Sequence, residues 1–162
     1  MKCHQWSQYF NRRLFELKQS MRIFLRDDML YWLLKTEPST YSFDDLVRDK
    51  KAVWDGVTNP VALKNIRAMQ KGDMAFIYHT GDEKAIVGIA EVISSPFPDP
   101  KQKDTKLVVV ELKPKERVAT PVTLASVKSN QEFADFALVR IGRLSVMPVS
   151  ASQWKSLLSM SR

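Results

Sequence analysis

Four short stretches of the 162-residue chain bring together side chains that can do chemistry. Lys35-Thr36-Glu37 combines an amine, a hydroxyl and a carboxylate. A desolvated lysine can activate a hydroxyl while a glutamate shuttles protons, which are the ingredients of a hydrolase. Extended backbone, however, puts Lys35 and Glu37 on one face of a strand and Thr36 on the other, so that chemistry needs a local twist. Trp54-Asp55-Gly56-Val57-Thr58-Asn59 sets a large aromatic beside a turn flanked by a carboxylate and an amide. Tyr78-His79 closes an apolar run just before Thr80-Gly81-Asp82, and Arg143-Leu144-Ser145 adds a cation and a hydroxyl. Trp54 and Tyr78 offer faces on which a planar ligand can stack, and Thr36, Asp55, Asn59 and Ser145 offer donors and acceptors for its edge. Lys35 and Arg143 suit an anion. Lys64, Arg67 and Lys71 recur at helical spacing, a stripe that either tracks phosphates or is a solvated face. His79, beside a turn, reads as a structural histidine in preference to a proton shuttle.

The elements that must position these groups follow from pattern. Tyr31 to Lys35 is aromatic and apolar and runs toward Pro38, so it reads as a strand leaving the core. Ser42 begins a capping-box-like Ser-Phe-Asp-Asp with Tyr41 and Leu46 at the staple positions, which predicts a helix over 43–49 with Asp44 and Asp45 at its positive end. A short β segment at 52–54 breaks at Asp-Gly, and Pro60 opens a helix with Ala62, Ile66 and Met69 inward. Strands at 74–79 and 85–93 form a hairpin, in which Gly88 marks a bulge or a close backbone approach. Pro96, Pro98 and Pro100 hold a loop, and a long strand at 106–118 is interrupted at Pro114. Thr123 caps a further helix, 144–149 is the last strand, and Ser150 to Gln153 is a capping box for a terminal helix with Trp154, Leu157 and Leu158 inward. Trp32 and Trp154 are assigned to packing. At least five strands with short helices give an α+β class: a small mixed β-barrel or strongly bent sheet, its ends covered by helices.

Composition narrows the function classes. Hydrophobic residues at 44% and charged residues at 27% are ordinary for a folded domain. The formal charge of +7 favours an anionic partner, but residues 1 to 29 hold six basic and three acidic groups, so +3 of it sits there. That stretch has Phe10, Leu14 and Leu17 at helical spacing and no apolar leader core. It reads as a poorly ordered extension, or as the product of an upstream start when Met21 or Met29 is the true first residue, and otherwise as a basic arm or protein-docking segment. The domain is therefore placed at 30–160. One cysteine, Cys3, excludes an internal disulfide and a thiolate metal cluster, and no apolar run reaches the ~20 residues of a membrane span. Neither a G-x-G-x-x-G motif nor a Walker lysine loop is present, so no nucleotide cofactor is expected, and no metal. A monomer in the cytoplasm, with nucleoid association as an option, is the expectation.

Five blocks, in order, carry a resemblance. They are Tyr31-Trp32-Leu33-Leu34-Lys35-Thr36-Glu37-Pro38, Trp54-Asp55-Gly56-Val57-Thr58-Asn59, Lys71-Gly72-Asp73-Met74-Ala75-Phe76-Ile77-Tyr78-His79, Val87-Gly88-Ile89-Ala90-Glu91-Val92 and Arg143-Leu144-Ser145-Val146-Met147-Pro148-Val149. Together they resemble the EVE domain family of the PUA-like superfamily, over essentially Leu30 to Leu158. The resemblance implies a PUA-like barrel and a pocket for a modified base, such as methylated or hydroxymethylated cytosine, in DNA or RNA. Pro60 after Asn59 and the short loop from Pro96 to Lys106 depart from the family pattern. Extruding a base from its stack costs a few kcal/mol, recovered by aromatic stacking at ~1 to 3 kcal/mol per face and by hydrogen bonds to the base edge. The expected ligand-binding set is Lys35, Thr36, Glu37, Trp54, Asp55, Val57, Asn59, Tyr78, His79, Arg143, Leu144 and Ser145, with Lys64, Arg67 and Lys71 on phosphates. A binding module, not an enzyme, is the leading reading; hydrolysis of modified nucleosides through Lys35, Thr36 and Glu37 is the alternative.

Overall fold

The computed structural model describes residues 29–162, so the readings made for residues 1–28 lie outside it. Strand β1 (Tyr31–Thr36) is followed by helix α1 (Phe43–Asp49), strand β2 (Ala52–Trp54) and helix α2 (Pro60–Ala68). Strands β3 (Met74–His79), β4 (Ala85–Val92), β5 (Phe97–Pro98) and β6 (Val108–Thr123) come next. Helix α3 (Leu124–Ser129), a 3₁₀ turn at Gln131–Phe133, helix α4 (Ala137–Arg140), strand β7 (Val146–Val149) and helix α5 (Ala151–Met160) complete the domain.

The helix starts obey their local chemistry. Ser42 and Ser150 both make full capping boxes, with Asp45 and Gln153 reaching back to the cap N–H groups. Thr123 caps α3 from the end of β6, so Pro121 belongs to the strand and not to the helix start.

The strands form one mixed sheet in the order β2-β6-β4-β3-β1-β7, with β5 added to β6. β1 and β3 are parallel, and the chain between them passes through α1, β2 and α2, the crossover that parallel pairing requires. Because β1 has neighbours on both edges and is covered on both faces, Trp32, Leu33 and Leu34 are consecutive buried residues instead of an alternating pattern.

Curvature comes from bulges. Against β3 the pairing of β4 skips Val87, and against β6 the same point sets Gly88 opposite Arg117 but Ile86 opposite Val122. Extra residues on one strand bend the sheet and increase its twist, which curls it into a half-barrel. A second shift faces Pro114 to Ala90. β2 pairs with β6 only as far as Leu112, so Pro114 has no ladder bond to make on that side, and β6 runs through the proline where the sequence predicts an interruption.

Gly88 serves a close approach as well as a bulge. A Cβ there would lie 2.4 Å from the ring of Phe43, which is fully buried in the first turn of α1. Helix α1 is thereby seated directly on the sheet. At the other end of the domain Trp154 of α5 packs on Phe76 and Tyr31, with ring centroids 3.9 and 4.6 Å apart. Trp32 is a packing residue with a polar tie: its Nε1 donates to the buried Asp73 carboxylate at 2.9 Å, which also accepts from the N–H groups of Leu30 and Gln70.

Candidate functional site

The C-terminal end of β1, the loop into α1, the end of β2 with its following loop, and the turn before β7 surround a cleft of about 720 Å³. It is within the usual size of small-molecule sites. Lys35, Thr36, Trp54, Asp55, Val57 and Ser145, all singled out from the sequence, line it. So do Thr40, Tyr41, Asp49, Lys51 and Lys101, which sequence reasoning passed over.

Each wall has a local cause. The parallel register of β1 and β3 puts Lys35 beside Tyr78, and the Lys35 ammonium sits 5.7 Å from that ring while donating to the Gly142 carbonyl at 2.9 Å. Burial lowers the Lys35 pKa below that of a free lysine. The Thr36 hydroxyl donates to the Tyr41 carbonyl at 2.6 Å and so fixes the chain as it turns toward α1. Tyr41 lies on the cleft wall with its hydroxyl donating to Asp49 at 3.0 Å, which brings the two ends of α1 together. Burial, then the Asp49 hydrogen bond and charge, push its pKa up to about 12. Asp49 is held below the ordinary carboxylate range by hydrogen bonds from Arg48 and Tyr41.

On the opposite rim the Lys101 ammonium reaches Asp55 at 2.8 Å, which ties the loop after β5 to the loop after β2 and raises the Lys101 pKa. Arg67 fastens the same loop from α2 by donating to the Lys106 carbonyl at 2.5 Å. Trp54 is only 7% exposed and belongs to the core cluster as well as to the cleft, so its ring is fixed in place.

Other sequence-derived candidates stand elsewhere. Tyr78 is buried beneath Lys35 and is not among the lining residues; the second aromatic of the cleft is Tyr41. Glu37 is exposed and turned toward the β3–β4 hairpin, accepting from Thr80 at 2.8 Å. His79 is buried: the Phe43 N–H donates to its Nε2 at 3.0 Å, which leaves the ring proton on Nδ1 to face Glu83 at 3.1 Å. Its ring is thus held as a structural histidine would be, and His79, expected also in the ligand-binding set, does not line the cleft. Asn59 caps α2, its Oδ1 accepting from the N–H groups of Val61 and Ala62. Leu144 is a core residue and Arg143 is exposed beside it. Lys64, Arg67 and Lys71 are exposed, with Lys71 in the turn beyond α2.

Tyr41 and Lys101 escaped sequence reasoning for different reasons. Tyr41 looked like half of a helix staple, and Lys101 stood in a proline-rich loop whose path no local pattern fixes. The one available signal was the Tyr41–Asp49 spacing, which matches the two ends of a seven-residue helix.

A curled mixed sheet with short helices over its ends and a cleft at the strand ends defines a PUA-like α+β module. An ASCH structure from Zymomonas mobilis shares this fold at 13% identity and TM-score 0.55, over 82% of this chain and 96% of that one. Within that class the chain belongs to the EVE domain family, whose model matches residues 30–160. An NMR structure from Rhodopseudomonas palustris is 44% identical with TM-score 0.78, covering 82% of this chain and 93% of that one. Mouse thymocyte nuclear protein 1 is 27% identical over 80% of this chain and 73% of its own length, while the match to the chicken protein is 36% identical over 47% of this chain and 36% of that protein. Human THYN1, in a crystal structure with DNA containing 5-methylcytosine, is 26% identical with TM-score 0.75, over 82% of this chain and 98% of that one.

Proposed function

We propose that the chain is a nucleic-acid-binding module that takes a flipped, modified base of the methylcytosine class into the cleft beside Trp54. The cleft carries this reading. A fixed aromatic, Trp54, and a second, Tyr41, stand on its walls with Thr36, Asp55 and Ser145 to pair with a base edge and Lys35 and Lys51 to meet a phosphate. The human relative crystallised with 5-methylcytosine DNA supports DNA as the carrier. One chain supplies the whole cleft, so a monomer suffices.

Binding without turnover is the reading that fits the side-chain directions. Glu37 faces Thr80 and Ser39, and the Thr36 hydroxyl is engaged with the Tyr41 carbonyl, so Lys35, Thr36 and Glu37 do not converge on one point as a hydrolase would need.

Truncating Trp54 to alanine would remove a core side chain as well as a stacking face, so milder substitutions make the test. Oligonucleotides that differ only in one cytosine methyl group are titrated against wild-type protein, Trp54→Phe and Ser145→Leu. The preference for the methylated oligonucleotide should fall at least ~5-fold in each variant. Undiminished discrimination in both variants overturns the assignment of the cleft.

A further inference from the structure

Among the described residues four large apolar side chains are exposed, and one of them, Ile141 at 50%, adjoins Gly142, whose carbonyl the cleft residue Lys35 contacts. It follows α4 in the turn that leads into β7. That turn is held tightly: the Ile141 N–H donates to Ala137 at 2.8 Å and the Leu144 N–H donates to Ile141 at 3.1 Å. The turn is also fastened to the cleft. Lys35 donates through Nζ to the Gly142 carbonyl at 2.9 Å and through its backbone N–H to Ser145 at 2.8 Å, and both Lys35 and Ser145 line the cleft. Ile141 is therefore an exposed residue on a tightly held turn that is hydrogen-bonded to the cleft residue Lys35.

Its surroundings are cationic. Arg143, two residues on, is exposed and makes no hydrogen bond or ion pair among the described residues. Arg140, one residue before, is exposed and shares its charge with Asp135 at 2.8 Å. Next to Ile141, Gly142 has no atom within 4 Å of where a Cβ would be, so the approach to the turn is open. An exposed branched apolar side chain flanked in sequence by two exposed arginines suits a polyanionic duplex better than an apolar protein groove. The arginines meet phosphates while the apolar side chain enters the stack, as isoleucine does at other kinked or opened base steps.

We infer that Ile141 is a wedge that enters the duplex and fills the gap left when the modified base moves into the cleft, with Arg143 gripping the adjoining phosphate. The inference rests on the base-reading function proposed above and adds double-stranded nucleic acid as the substrate form. Opening a base step costs a few kcal/mol, and a side chain that replaces the lost stacking recovers part of it. Its contribution is confined to substrates in which a base must be withdrawn from a stack.

The test uses the full chain and three probes, each with its unmethylated counterpart: a duplex with one 5-methylcytosine, the methylated strand alone, and a duplex in which the 5-methylcytosine faces an abasic site. Ile141→Gly should bind the paired duplex about 10-fold more weakly while its affinity for the single strand stays within ~2-fold of wild type. The abasic duplex should fall between them, Ile141→Leu should restore paired-duplex binding, and the thermal transition of each variant should match wild type. Equal losses on all three probes, or no loss on the paired duplex, overturns the wedge. A wild-type protein that discriminates methylated from unmethylated single strands but not duplexes also overturns the wedge while leaving the base-reading function intact. Failure to distinguish methylation on any probe removes both.

Discussion

At the residue scale, Lys35 links the chemistry to pH. In the free protein burial lowers its pKa from the ordinary 10.5, whereas a phosphate brought to its Nζ favours the charged form and raises it again. Between those two values the complex holds more protons than the free protein, so binding takes up a proton. Affinity should fall as pH rises through the lowered value, and Lys35→Met should flatten that dependence; titrations at several buffered points from about pH 7 to 10 measure it. The placement of cleft residues was legible where it is set locally. Lys35, Thr36 and Trp54 to Val57 sit at strand ends that the local pattern marks, whereas His79, read as structural in preference to a proton shuttle yet included in the expected ligand set, is off the cleft wall. Asn59 was read for its amide and not for its place, although an Asn directly before Pro60 is what a helix cap looks like. Tyr78 was chosen over Tyr41 because both are aromatics at element ends. Only the parallel register of β1 on β3, a long-range fact, buries one beneath Lys35 and leaves the other on the wall.

At the scale of elements, Gly88 decides how α1 meets the sheet. Phe43 occupies the space a Cβ would need, and its buried ring would have to shift to make room. Gly88→Ala should therefore destabilise the domain by about 2 to 3 kcal/mol, as overpacking does, and chemical denaturation with an unchanged m-value would measure it. Because Tyr41, just before the Ser42 cap, is hydrogen-bonded to Asp49 at the end of α1, the same variant should also weaken ligand binding. Element boundaries came through in the sequence wherever a cap or a glycine marked them, as at Ser42, Thr123 and Ser150. The extent of β6 did not, since a proline reads as a strand breaker and only the short reach of β2 makes Pro114 harmless.

At the scale of the molecule, the +7 charge overstates the electrostatic grip on nucleic acid. Many of the cations are already engaged. Lys101 pairs with Asp55, Lys113 and Lys115 with Glu91, Arg48 with Asp45 and Asp49, and Arg140 with Asp135. The groups left without an ion pair near the cleft are few, chiefly Lys35 and Arg143, with Lys51 only loosely paired to Glu111 at 4.0 Å. The logarithm of affinity against the logarithm of salt concentration should thus have a slope of about −2 to −3, far from the −6 of a protein that uses its whole excess. Fluorescence anisotropy across a salt series measures the slope.

The sheet order also governs how the domain is made. β1 pairs Tyr31 with Val149, so its outer edge is completed by the last strand of the fold. During synthesis β1 leaves the ribosome first and must wait for nearly the whole domain before that edge is covered. Through that interval Trp32, Leu33 and Leu34 form an apolar strand with open ladder groups, the kind of segment that seeks other chains. Such long-range closure also belongs to the slower class of folding reactions. The strand that delivers Lys35 and Thr36 to the cleft is thus completed only by β7, and any truncation that removes β7 leaves that edge of the sheet unpaired.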